Sequence, residues 1–139
     1  MEGLSLLDSV SDLRGRGYCL NALGRAAILQ GDMKLAALRF RQALRLNYEL
    51  GYLVDISELL HEIAVLEAIS GDQSRAALIL SAATALGKKI GTHYPVDDPV
   101  DRQAPPGWLQ TVPYSEEWAK GEMMTMDQAV AYVLGQDLK

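Results

Sequence analysis

The sequence predicts an all-α chain of antiparallel helical hairpins closed by a C-terminal helix, and three observations carry the prediction. Residues 20–51 and 60–91 repeat one another at an offset of 40. Within each copy the apolar residues recur at steps of three and four, the spacing of one helix face. The pair Gly-Asp stands at the same place in both copies, at 31–32 and at 71–72.

Nine positions are identical at the offset: Leu20/Leu60, Gly31/Gly71, Asp32/Asp72, Ala36/Ala76, Ala37/Ala77, Leu38/Leu78, Ala43/Ala83, Leu46/Leu86 and Gly51/Gly91. Apolar exchanges at Leu23/Ile63, Leu29/Ile69, Phe40/Leu80 and Leu50/Ile90 keep the pattern. A period of this length marks a helical array, in which each unit buries its apolar face against the next. In the first copy Leu20, Leu23, Ala27 and Ile28 line one helix, and Ala36, Phe40, Ala43 and Leu46 line a second. Glycine accepts the left-handed backbone that ends a helix, and aspartate caps the first amides of the next, so Gly-Asp is the turn between them. Small residues at 36/76 and 43/83 predict close helix approach, with Phe40 and Leu80 filling the space between as core.

Run backwards, the offset pairs Leu6 with Leu46, Val10 with Leu50 and Leu13 with Leu53. The first ten residues are therefore expected to end an earlier second helix. The chain is expected to be part of a longer array with an open N-terminal face, available to a second copy as a homodimer contact.

All five prolines fall between Pro95 and Pro113, which predicts a Pro-rich loop over 92–124 between the repeats (1–91) and a C-terminal capping helix (125–139) of the same domain. Trp108, Tyr114 and Trp118 are expected to cover the open end of the array or to form an aromatic patch for a ligand. Thr125 with Gln128 reads as a capping box, and Met126, Ala129, Val130, Val133 and Leu134 as an apolar stripe. That last helix, about 126–134, either packs back on the second copy or is offered to a partner.

Hydrophobic residues make up 49% and charged residues 22% of the 139, a globular balance. A net charge of −5 with scattered Lys and Arg argues against direct nucleic-acid contact. The lone Cys19 rules out a disulfide within the chain and reads as a small buried hydrophobe in a reducing compartment. With no long apolar run and no basic-then-apolar start, the chain is expected to be cytoplasmic and not to meet a membrane.

Leu23, Gly24, Ala36, Phe40 and Ala43 stand at the spacing of the tetratricopeptide signature, with Leu20 and Ala27 in its Trp and Tyr places; Ile63, Ala64, Ala76, Leu80 and Ala83 follow more weakly in the second copy. The chain thus resembles a tetratricopeptide-like solenoid, with a period longer than the usual length of about 34. Its longer phrases, "LNALGRAAILQGD", "SGDQSRAALILSAATALGKKIG" and "EEWAKGEMMTMDQAVAYVL", are similar to the C-terminal end of bacterial LuxR-type and related signal-transduction ATPases. That resemblance implies a protein-interaction or scaffolding module of a transcriptional or signalling regulator, with no enzyme activity and no cofactor of its own. A freestanding peptide-binding adaptor is the alternative. No phosphate-binding loop and no helix-turn-helix is found in the sequence.

The resemblance further implies that the first helix of each hairpin lines a concave face, at Tyr18, Asn21, Arg25 and Ile28 and at Glu58, His61, Val65 and Ala68. These residues either receive a protein or peptide partner or another domain of a longer chain, or form the solvated side of the scaffold. Glu58 and His61 also have the Glu-x-x-His spacing of di-iron bundles, a remote metal-binding reading that lacks its second pair. Asp97, Asp98 and Asp101 lack the spacing of a calcium loop and read as a solvated acidic stretch.

Overall fold

The computed structural model describes the backbone of residues 2–91 and 114–135, and side chains over 12–91 and 114–135. Among the described residues there are six helices and no strand: α1 (Glu2–Leu29), α2 (Met33–Leu50), α3 (Leu53–Ile69), α4 (Gln73–Ile90), α5 (Ser115–Met123) and α6 (Met126–Leu134). None of these helices is long and apolar enough to cross a membrane.

Both Gly-Asp pairs turn the chain in the same way. Gly31 and Gly71 have φ of 81° and 98°, a backbone open to glycine and strained for other residues. The Asp32 amide donates to the Ala27 carbonyl at 2.8 Å and the Asp72 amide to the Glu67 carbonyl at 2.9 Å, closing the end of α1 and of α3. Each aspartate then accepts from an amide of the following helix, Asp32 from Leu35 at 3.1 Å and Asp72 from Arg75 at 3.0 Å. Helices α1 and α2 thereby form one hairpin, and α3 and α4 another.

Small residues set how closely the helices approach. A Cβ at Gly24 of α1 would lie 2.5 Å from the Phe40 ring, so only glycine lets α2 pack there. Phe40, Ala36, Ala43 and Leu44 of α2 are fully buried, with Ile56, Leu60, Ala64 and Val65 of α3 in the same core. Buried hydroxyls are satisfied: Ser57 donates to the Ala83 carbonyl at 3.2 Å and Ser81 to that of Leu78 at 2.9 Å.

The C-terminal helices pack on the two hairpins. Helix α5 packs along α4, with Gly121 against Ser81 and the Leu78 carbonyl. Helix α6 keeps the capping box of Thr125 and Gln128 and buries Ala129, Val130, Val133 and Leu134. It contacts α2 as well as α4, so it bridges both hairpins and is not confined to the second. The Tyr48 hydroxyl donates to Asp127 Oδ1 at 2.6 Å, and the Arg75 guanidinium lies 4.6 Å from the Tyr132 ring centroid.

Three expectations change. Residues 2–10 do not end an earlier helix: they run unbroken into α1, because Ser11 and Asp12 stand where, 40 residues on, Gly51 and Tyr52 turn the chain between α2 and α3. Helix α5 occupies the end of the segment read as loop, since no proline follows Pro113 and the surface of α4 gives the helix a partner. Cys19 is exposed, on the side of α1 turned away from α2. Side-chain readings at Leu6 and Val10, and the readings at Asp97, Asp98, Asp101 and Trp108, lie outside the described residues.

Candidate functional site

Helices α1 and α3, the first helices of the two hairpins, meet along a polar seam. Arg14 reaches from α1 to Asp55 at the start of α3, with Nε 3.7 Å from Oδ2. Its guanidinium lies 4.7 Å from the Tyr52 ring centroid and 5.6 Å from that of Tyr18, a cation held between two aromatic faces. The Tyr18 hydroxyl, and more weakly Asp55, hold Arg14 still more firmly in its cationic form. Two to three turns along, Arg25 of α1 pairs with Glu62 of α3. Arg75 of α4 pairs with Glu67 of α3 at 3.0 Å.

Of the concave-face residues, Arg25 joins this seam through Glu62, Tyr18 through Arg14 and Glu58 beside Asp55, while Asn21 and His61 are partly buried; only Tyr18 is largely exposed, at 51%. Glu58 is half-buried, and burial followed by repulsion from Asp55 raises its carboxyl above the ordinary range. Ile28, Val65 and Ala68 belong to the core and offer no surface to a partner. The row 18, 21, 25, 28 drifts round its helix toward the core, and its counterpart on α3 is covered from both sides. Arg25 keeps the role of donor to a carboxylate, but that carboxylate is the chain's own Glu62.

Arg14, Tyr52 and Asp55 belong to the seam and were not singled out in the sequence. Their signal is faint: Tyr52 and Asp55 adjoin the Gly51 turn, and the counterpart of Arg14 at the offset of 40 is Val54, which has no charge to mark the position. Glu58 and His61 lie one turn apart on α3. Among the described residues no three His, Cys, Asp or Glu side chains gather as they would around a metal ion. Chemically, the seam offers an exposed aromatic face beside a fixed cation and a carboxyl of raised proton affinity, features suited to packing and hydrogen bonding with a polypeptide.

No family model, curated protein or solved structure matches this chain.

Proposed function

We propose that this chain is a scaffolding module of stacked tetratricopeptide-like hairpins that binds a protein or peptide partner or a neighbouring domain, as the C-terminal part of a bacterial transcriptional or signalling regulator. The observation that carries the reading is internal repetition. Two hairpins use the same Gly-Asp turn at an offset of 40 and bury the same alanines, Ala36/Ala76 and Ala43/Ala83. Units repeated in this way bury their faces against neighbours and leave long surfaces for partners. A second support is that Tyr18 and Leu29 of α1 are each about half exposed, since exposed large apolar side chains can anchor a partner.

The test is capture of partners on the immobilised protein, wild type against Tyr18→Ala/Leu29→Ala. Both side chains are exposed, so the variant should keep its helical circular dichroism and lose a partner that the wild type retains. Equal recovery by the two proteins would overturn the assignment of α1 as the contact surface. In the genome, an ATPase-encoding frame continuous with Met1 is expected; an isolated frame would favour the freestanding adaptor.

A further inference from the structure

The two hairpins differ most in charge on one face. Ile56 and Ile79 of the second hairpin are in the core, 0% and 1% exposed. At the 40-residue offset their places in the first hairpin are taken by Arg16 and Arg39, and those of Ser81 and Ala85 by Arg41 and Arg45. These four arginines surround a groove of about 540 Å³ between α1 and α2, floored by Leu20, Leu38 and Leu46. Among the described residues, Glu49 is the only carboxylate that lines it. Among the described residues, Arg16, Arg41 and Arg45 join no ion pair. A chain of net charge −5 thus carries a cationic groove with an apolar floor.

We propose that this groove docks an acidic amphipathic helix of a partner protein, its apolar stripe on the three leucines and its flanking carboxylates on the arginines. The proposal rests on the interaction-module reading and names the partner's chemistry. At the corresponding place in the second hairpin α4 is covered by α5, whose Gly121 lies against Leu78 and Ser81, so the fold itself shows the kind of element that fits. From Leu38 to Glu49 the wall of α2 runs about 16 Å, three turns, which matches a helix of similar length. A phosphate backbone would use the arginines but leave the leucine floor wet; an amphipathic helix covers both.

Fluorescence anisotropy tests the proposal with three labelled probes: a peptide of about 18 residues with Leu at helical spacing and Glu on both flanks, its twin with Lys for Glu, and a DNA duplex of about 18 base pairs. The Glu peptide should bind in a salt-dependent way and the Lys twin roughly 30-fold more weakly. Arg16→Glu/Arg45→Glu, with both sites exposed, should keep its circular dichroism and weaken the Glu peptide by a similar factor. Failure of the Glu peptide to bind, equal binding of the Lys twin, equal binding of the duplex, or insensitivity to the double variant would each overturn it. So would light scattering that shows self-association abolished by the same variant, which would assign the groove to a second copy. If the groove fails while capture still depends on Tyr18 and Leu29, the interaction reading stands and only the partner assignment falls.

Discussion

Gly121 leaves no room for a side chain. A Cβ there would run into the Ser81 hydroxyl and the Leu78 carbonyl, and the carbonyl belongs to the α4 backbone and cannot swing away. Gly121→Ala is therefore expected to lower stability by about 1–3 kcal/mol. Denaturant unfolding followed at Trp118, on the same helix, would measure it; an unchanged midpoint would contradict the close approach. Glu58 makes the opposite kind of prediction. Its folded-state carboxyl binds a proton more tightly than in the unfolded chain, so the ionised form weakens the fold at neutral pH, and the penalty fades as pH falls through the raised value. Glu58→Gln should raise the thermal midpoint at pH 7 and lose that advantage in acid. A variant no more stable than wild type at pH 7 would rule this out. None of this was visible in the chain as written, because Gly121 and Glu58 owe their constraints to residues 40 positions away and to burial respectively.

The turns that end α1, α2 and α3 were legible in sequence because each is written locally: a glycine that accepts the left-handed backbone at 31, 51 and 71, followed at 32 and 72 by an aspartate that accepts an amide of the next helix. The start of α1 was not, since the repeat suggested a turn near residue 11 where no breaker stands. Gly15 and Gly17 inside α1 cost about 1 kcal/mol each relative to alanine without ending it. Helix α5 was hidden for another reason: in nine residues it buries only Gly121, so its own pattern hardly announces a helix. Helix α6 was legible from its cap and stripe, but its place across both hairpins depends on Tyr48 and Asp127, which lie 79 positions apart. The hydrogen bond to Asp127 raises the Tyr48 phenol above its usual value, so the tie is intact below the usual tyrosine range and is lost as pH rises through the raised value. Hydrogen exchange should show α6 amides losing protection over that range in wild type. In Tyr48→Phe they should be less protected at neutral pH and show no such step. Matching profiles for the two proteins would remove the tie from the account of α6.

At the scale of the whole molecule, α2 touches α1, α3 and α6, and Phe40 lies fully buried within it. Phe40→Ala should cost about 3–5 kcal/mol. Because both hairpins share that core, the loss should appear in one cooperative transition; separate transitions for the two hairpins would show that they are independent units. The sequence by itself determined the helical period, the turns and the paired small residues at 36/76 and 43/83, since these follow from the conformations that local residues permit. Only the tertiary structure decided which member of each repeated pair is buried. Leu23 is 50% exposed and its counterpart Ile63 4%, and Cys19 is exposed where Leu59 is in the core. Equivalent residues build equivalent helices, but burial depends on what flanks them, and α3 has a hairpin partner on one side and the first hairpin on the other where the outer side of α1 is open. The same asymmetry turned Arg25 toward Glu62 and left arginines around the leucines of the first hairpin.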